Sequence, residues 1–96
     1  MNDADESSVE VSIVIPCLNE AETLRSCITK AQQFLEECDV QGEIVVADNG
    51  STDGSPLIVQ GPGVRTVNVP VRGYGSAIMG GIAASRGQIY YHGRRG

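Results

Sequence analysis

The chain has 96 residues, of which 41% are hydrophobic and 20% charged, a composition typical of one small globular domain and not of a disordered chain. Its net charge of −5 argues against a nucleic-acid-binding module, and its longest apolar run is far too short to span a membrane, so we expect a cytoplasmic location. Residues 1–53 contain all 12 acidic residues and two basic ones, whereas residues 54–96 contain five basic residues and no acidic one.

The chain begins with a polar segment followed by a strand. Residues 1–8 are polar and acidic, which predicts a disordered leader; its Asp3-Ala4-Asp5 triplet lacks the apolar neighbours that would hold it as a metal site. Residues 9–15 alternate and then become continuously apolar and β-branched, a pattern typical of a strand buried on both faces. Pro16 is expected to end this strand.

A helix and a second buried strand follow. Apolar residues recur every three or four positions over residues 21–38, which places them on one helical face. Asn19 is a suitable N-cap for this helix, and Glu22, three positions later, can complete a capping box. Residues 43–47 then form a second continuously apolar segment, which predicts another buried strand.

The alternation of strand and helix continues through the second half of the chain. The further predicted elements are a short helix over 56–60, a strand over 64–69, a helix over 76–85 and a strand over 88–91. In the last helix, the side chains expected to face inward are those of Ile78, Met79, Ile82 and Ala83. Gly80-Gly81 would let this helix approach the sheet closely. The order β-α-β-α-β-α-β predicts an α/β fold with a parallel sheet and right-handed crossovers, a nucleotide-binding type of half-domain.

Three of the predicted strands end in polar segments, and ligands of open parallel sheets bind beyond the carboxyl ends of the strands. These segments are Pro16-Cys17-Leu18-Asn19-Glu20, Asp48-Asn49-Gly50-Ser51-Thr52-Asp53 and Arg72-Gly73-Tyr74-Gly75. Asp48 stands where a carboxylate can accept a hydrogen bond from a base N–H or a ribose hydroxyl. The Asn49-Gly50 turn would let backbone N–H groups approach a ligand, and Arg72 could balance the charge of a diphosphate.

Several of these polar residues also suit a purely structural role. Those for which turn capping, helix capping, the helix dipole or simple solvation would suffice are Asp48, Asp53, Asn19, Glu20 and Arg72. A dinucleotide fingerprint G-x-G-x-x-G starting at Gly73 fails, because it requires glycine where Ile78 stands and should follow the first strand rather than the third. The three cysteines have neither the spacing nor the histidine partners of a zinc site, and we expect them to be reduced and buried.

The combination of segments resembles the family-2 glycosyltransferases of the GT-A fold. I-P-x-x-N-E follows the first strand, V-V-A-D-N-G-S-T-D-G-S the second, and R-G-Y-G precedes a helix, so the resemblance covers about residues 11–87. The R-G-Y-G segment, followed by S-R-G, is most similar to the polyprenyl-phosphate sugar transferases, which resemble dolichol-phosphate mannose and glucose synthases. The resemblance implies a Rossmann-like GT-A domain that binds a UDP- or GDP-sugar and transfers the sugar to an acceptor such as polyprenyl phosphate, with the parent protein at the cytoplasmic face of the membrane.

The resemblance also implies roles for individual residues. Pro16, Leu18 and Glu20 would line the base and ribose, Asp48 would hold the base or ribose edge, and the loop at Arg72-Gly73 would lie beside the ribose and diphosphate. The full nucleotide-sugar-binding set expected on this basis is Pro16, Leu18, Asn19, Glu20, Asp48, Asn49, Ser51, Asp53, Arg72 and Gly73.

This sequence departs from the family pattern after the fourth strand. The family places there a D-x-D element whose carboxylates hold Mg²⁺ or Mn²⁺, whereas this chain has His92-Gly93-Arg94-Arg95. No metal and no catalytic residue are therefore expected in these 96 residues, which should be inactive and bind nucleotide weakly. With permitted codons, a shift of reading frame at Ile89 turns residues 89–96 into Y-I-I-M-G-D-A and an acid, which restores the family motif.

We therefore expect residues 9–96 to be the N-terminal, nucleotide-sugar-binding part of a truncated GT-A domain. Two alternatives remain open. One is a non-catalytic nucleotide-binding module; the other is a doubly wound oxidoreductase or regulatory domain, against which the missing glycine fingerprint after the first strand argues.

Overall fold

The computed structural model describes residues 9–53 and 63–91. The elements in these ranges are β1 (Val11–Cys17), α1 (Ala21–Cys38), β2 (Gly42–Asp48), β3 (Val64–Asn68), α2 (Tyr74–Ala84) and β4 (Gln88–Tyr91). The predicted leader at 1–8, the predicted short helix at 56–60 and the basic residues from His92 onward lie outside the described residues.

The four strands form one parallel sheet in the order β3-β2-β1-β4. This confirms the α/β class and the parallel sheet expected from the alternating pattern. From β1, the chain places β2 and then β3 on one side in the sheet, whereas β4 lies on the other side of β1. The order therefore reverses at β1, and such a reversal opens a crevice at the carboxyl ends of the strands.

The two helices cover opposite faces of the sheet. One face carries a core in which α1 packs on β1 and β2, formed by Ile13, Ile15, Cys17, Leu24, Ile28, Ala31, Ile44 and Val46. On the other face, α2 lies against a smaller cluster formed by Ala47, Val69 and Ala77. The central strands β1 and β2 are therefore buried on both faces, as their continuously apolar sequences predict.

Strand β1 does not end at Pro16, contrary to the sequence prediction, but pairs with β2 as far as Cys17. The Cys17 carbonyl accepts a hydrogen bond from the Asn49 N–H on the β2 side, at 2.9 Å. Because backbone groups alternate in direction along a strand, Pro16 faces the β4 side. Within residues 9–53 and 63–91, pairing of β1 with β4 extends as far as Val14.

Two details of the predicted helices are also wrong. Helix α1 begins at Ala21, and Asn19 does not cap it, because its side chain is engaged with another loop, as described below. In α2, Met79 and Ala83 are exposed rather than inward, and the buried positions are Ala77 and Gly81. Helix α2 thus turns its small residues toward the sheet, because only these allow the close approach.

We expect Gly81→Ala to destabilise the fold by about 1–3 kcal/mol, since an added methyl group overpacks a filled core. A Cβ at Gly81 would overlap Cγ1 of Val14, whose side chain is fully buried and cannot move away. Gly75→Ala is the matched control in the same helix, because a Cβ there meets nothing within 4 Å. It should be neutral or stabilise by up to about 1 kcal/mol. Chemical denaturation of both variants measures the difference, and equal stabilities would contradict the packing argument.

Candidate functional site

The three polar segments singled out in the sequence meet at the carboxyl edge of the sheet. The Asn49 N–H donates to the Cys17 carbonyl at 2.9 Å, and the Val69 N–H donates to the Asp48 carbonyl at 2.8 Å. These two bonds extend the pairing of β2 with β1 and of β2 with β3 by one residue at the carboxyl ends of the strands. The loops that follow β1, β2 and β3 therefore leave the sheet side by side, as parallel strands require.

Asp48, the last residue of β2, has only 8% of its surface exposed. Its Oδ2 accepts hydrogen bonds from the backbone N–H groups of Gly50, at 3.3 Å, and Ser51, at 3.1 Å, which closes the turn. Its Oδ1 is buried and accepts no hydrogen bond, and within residues 9–53 and 63–91 it is the one buried side-chain oxygen or nitrogen in that state. A buried acceptor without a donor is costly. One carboxylate oxygen of Asp48 thus closes the turn, while the other has no hydrogen-bond donor among the described residues.

Arg72 lies beside the turn that Asp48 closes. Gly50 has φ of +103°, a conformation that favours glycine, and a Cβ built on it would lie 3.9 Å from Nε of Arg72. The next residue, Gly73, has φ of +123° and precedes α2. The turn after β2 therefore has a buried carboxylate at its base and an exposed guanidinium at its side.

Asn19 and Ser51 tie the loop after β1 to the loop after β2. The Asn19 Oδ1 accepts hydrogen bonds from the N–H groups of Thr52, at 2.8 Å, and Asp53, at 3.1 Å. The Asn19 N–H donates to Oγ of Ser51 at 2.8 Å. Asn19 has φ of 51°, in the left-handed region that asparagine tolerates better than most residues. The side chain thus brackets a neighbouring loop, which is why it is not available to cap α1.

Asn49 connects the loop after β2 with the loop after β3. It is 6% exposed, and its Nδ2 donates to the carbonyl groups of Val69, at 2.9 Å, and Val71, at 2.8 Å. Its Oδ1 accepts from the Gly73 N–H at 2.8 Å. One buried carboxamide therefore holds both sides of the segment that carries Arg72.

The remaining predicted site residues lie around the same edge. Pro16 and Glu20 are half-buried, Leu18 is 40% exposed, and Asp53, in the loop after β2, is exposed. The structure thus brings together all ten residues of the predicted nucleotide-sugar-binding set, on the three adjoining loops and on the ends of β1 and β2 that lead into them. Their contact with a ligand stays a prediction.

The described residues contain no cluster of metal-ligating side chains. In residues 9–53 and 63–91, no group of three His, Cys, Asp or Glu side chains converges on a common point.

The cysteines are reduced, as predicted, but Cys27 is only half-buried and Cys38 is exposed. Within the same ranges, no helix has the length and apolar character needed to cross a membrane.

A second polar cluster, missed in the sequence, lies under α2 and centres on Glu43. Its carboxylate accepts hydrogen bonds from the Ser12 hydroxyl (2.6 Å), Nη2 of Arg65 (2.9 Å) and the Arg86 N–H (2.9 Å). The Gly87 N–H donates to Oγ of Ser12 at 2.9 Å, so the cluster fastens the turn between α2 and β4 to the two central strands. We name these residues (Ser12, Glu43, Arg65, Arg86) the Glu43 cluster.

The pKa of Glu43 lies below its ordinary value of 4.5. Burial in the sheet raises this pKa, but the hydrogen bonds from Ser12, the Arg86 backbone and Arg65, together with the charge of Arg65, outweigh burial and lower it. The carboxylate therefore stays ionised under α2. Its position within the sheet, away from the loops, makes it a part of the fold rather than of the candidate site.

Comparisons with known proteins identify the family. Residues 12–91 match the model of glycosyl transferase family 2. The chain is 33% identical over 95 residues to a glucosyl-3-phosphoglycerate synthase of Mycolicibacterium paratuberculosis, covering 91% of this chain and 28% of that protein. It is 36% identical over 77 residues to the low-salt glycan biosynthesis hexosyltransferase Agl6 of Haloferax volcanii, covering 80% of this chain and 18% of that protein.

A third relative is named for a lipid phosphate. The chain is 37% identical over 87 residues to an undecaprenyl-phosphate 4-deoxy-4-formamido-L-arabinose transferase of Sodalis glossinidius, covering 83% of this chain and 27% of that protein. The chain thus spans less than a third of the length of each of these relatives. Since the family match extends over most of the 96 residues and confirms the resemblance carried by the three loops, this chain belongs to glycosyl transferase family 2.

Proposed function

We propose that residues 9–96 form the nucleotide-sugar-binding part of an enzyme that transfers a sugar from a nucleoside-diphosphate sugar to an acceptor. Membership of the family supports sugar transfer in general. The observation that supports nucleotide binding at this edge of the sheet is the buried Oδ1 of Asp48, a hydrogen-bond acceptor that has no donor among the described residues. A base N–H or a ribose hydroxyl is the kind of group that would satisfy it.

The charges at the site suit the nucleoside at one end of a nucleoside-diphosphate sugar and the diphosphate next to it. Asp48 would accept a hydrogen bond from the nucleoside, and the Arg72 guanidinium, on the other side of the Gly50 turn, would face the diphosphate. Arginine binds phosphate through paired N–H donors that match its oxygens, so this arrangement orients the donor across the turn. Pro16 and Leu18 would contact the apolar face of the base.

For the acceptor we propose a polyprenyl phosphate, used at the cytoplasmic face of a membrane. The name of the Sodalis glossinidius relative, with its undecaprenyl phosphate, supports this choice. The name of the Mycolicibacterium paratuberculosis relative, with its 3-phosphoglycerate, supports a phosphate-bearing acceptor of another kind. The class shared by the two names is a phosphorylated acceptor.

We further propose that the 96-residue chain alone binds the donor without transferring the sugar. This sequence has His92-Gly93-Arg94-Arg95 where the family resemblance implies the carboxylates that hold Mg²⁺ or Mn²⁺, so Arg72 would be left to balance the leaving diphosphate. The same observation favours the second candidate function, a non-catalytic nucleotide-binding module.

Titration of the 96-residue chain with UDP, GDP and inorganic pyrophosphate tests the proposal. We expect UDP or GDP to bind weakly, yet at least about tenfold more tightly than pyrophosphate, because the nucleoside adds a hydrogen bond to a charged acceptor. Pyrophosphate binding as tight as that of both nucleotides would contradict the proposal. Tight nucleotide binding without metal would favour the non-catalytic module, whereas metal-dependent sugar transfer by this chain would refute the inactivity.

A further inference from the structure

We propose that Asn49 is a positioning residue that sets Arg72 toward the diphosphate, in place of the direct ligand contact expected from the sequence. This inference rests on the proposed function of the same site. Its basis is that three hydrogen-bonding positions of the Asn49 carboxamide are already used inside the protein. Both Nδ2 donations and the Oδ1 acceptance go to backbone groups between Val69 and Gly73.

The geometry of these contacts makes the segment around Arg72 dependent on one side chain. The carbonyl of Val71 and the N–H of Gly73 belong to the two residues that flank Arg72, and both bind the same carboxamide at 2.8 Å. The side chains of Val71, Arg72 and Tyr74 are exposed. Burial of the Val71 and Arg72 side chains therefore contributes little to the position of this segment, and the hydrogen bonds of Asn49 hold its backbone on both sides of Arg72.

Only a carboxamide satisfies this arrangement. Two carbonyl groups require a donor and one N–H requires an acceptor, and the Asn side chain presents both at once. An aspartate could accept from Gly73 but would turn its other oxygen toward the carbonyls of Val69 and Val71. The asparagine in the D-N-G-S-T-D segment thus couples the turn that holds Asp48 to the loop that holds Arg72.

The first arm of the test needs no ligand. In Asn49→Ser, hydrogen exchange of the Gly73 amide should become faster by about tenfold or more, as expected when a hydrogen bond of about 1.4 kcal/mol is lost. Exchange of the Val69 amide, which donates to the Asp48 carbonyl, should change much less. Asn68→Ser, at an exposed asparagine beside the same edge, is the matched control. An unchanged Gly73 amide would overturn the inference.

The second arm measures the ratio of UDP affinity to uridine affinity, or of GDP to guanosine, which reports the contribution of the diphosphate. Asn49→Ser and Arg72→Gln should each lower this ratio about tenfold, and the double variant should lower it no further, because both changes remove one interaction. Additive losses would overturn the positioning role. If Asn49→Ser does not fold, Asn49→Asp replaces it in this second arm only, because an aspartate could still accept from the Gly73 N–H; Asn68→Asp is the control for the added charge.

The two arms separate this inference from the proposed function. Absence of any nucleotide binding by the unaltered chain would refute the proposed function and, with it, the role toward the diphosphate. Faster exchange at Gly73 would still show that Asn49 holds the loop. Binding by the unaltered chain with an unchanged ratio in Asn49→Ser would refute the inference alone.

Discussion

Asp48→Asn should weaken binding of UDP or GDP by about 10- to 100-fold, the range expected for loss of a hydrogen bond to a charged acceptor. The substitution is nearly isosteric and keeps one oxygen, which can still accept from the N–H groups of Gly50 and Ser51. The new NH₂ group then stands where Oδ1 was. Its N–H groups would face the N–H or O–H group of the nucleotide that Oδ1 would otherwise accept from, so no hydrogen bond can form. Calorimetry or an NMR titration of both proteins measures the loss.

The stability of Asp48→Asn should be unchanged or higher. In the unaltered chain the buried Oδ1 has no donor among residues 9–53 and 63–91, so the carboxylate is held at a cost to the folded state. Replacing the carboxylate with a neutral amide removes the buried charge. Loss of binding without loss of stability is the pattern expected of a ligand-binding group, since such groups are retained for function rather than for folding.

Asp39→Asn is the matched control for this change. Asp39 is exposed and has φ of 54° at the C-terminal end of α1, a conformation that asparagine tolerates well. It removes the same unit of negative charge at a position outside the three loops, and nucleotide affinity should stay within about twofold, as for a screened surface charge. Equal affinities of Asp48→Asn and the unaltered chain would exclude Asp48 from the nucleotide site.

The parts of the fold that follow from local pattern were predictable. Continuously apolar β-branched segments mark the two central strands, and an alternating order of elements implies that their carboxyl ends share one edge. These two patterns are enough to bring residues 16–20, 48–53 and 72–75 together at that edge. The family resemblance rests on the same three segments.

The errors arose where one residue type fits two local roles. An asparagine before a helix has the same sequence signature whether it caps that helix or brackets a loop from another strand. Asn19 does the second because Thr52 and Asp53, 33 and 34 positions away, lie next to it in space. In α2, the large apolar residues suggested an inward face, but the requirement for close approach turned Gly81 inward and left Met79 exposed.

The Glu43 cluster was not predicted, because its members are far apart in sequence and each looks ordinary by itself. Glu43 lies 22 positions from Arg65 and 31 from Ser12. One signal was present, the separation of all acidic residues into the first half of the chain and most basic residues into the second. The cluster joins the two halves, with an acid from β2 held by arginines from β3 and from the turn after α2.

Glu43→Gln should therefore destabilise the fold by about 2–3 kcal/mol, a large share of the stability of a chain this small. The amide nitrogen of glutamine would face the donors of Ser12, Arg65 or Arg86, one of which would lose its acceptor. The Arg65 side chain is 31% exposed, so water compensates part of its loss and keeps the expected cost below that of a fully buried ion pair. Urea denaturation near neutral pH measures the difference.

The pH dependence of this difference identifies the carboxylate as its cause. Because the pKa of Glu43 is lowered in the folded state, its stabilising contribution is complete above its ordinary value of 4.5 and is lost as the pH falls through the folded-state pKa. The gap in unfolding free energy between the unaltered chain and Glu43→Gln should therefore be constant at neutral pH and shrink in acid below about pH 4.5. A gap that does not change with pH would mean that the ionised form contributes nothing.

Glu37→Gln is the control, since Glu37 is exposed near the C-terminal end of α1, where a negative charge opposes the helix dipole. It should leave stability unchanged or raise it by a few tenths of a kcal/mol, as for other charges at helix ends. Glu43 and Asp48 are both buried acids of β2, five residues apart, yet we expect opposite behaviour from them. Both oxygens of Glu43 receive donors from the protein, so we expect its loss to weaken the fold. One oxygen of Asp48 receives none from the part of the chain that the structure describes, so we expect its loss to weaken binding.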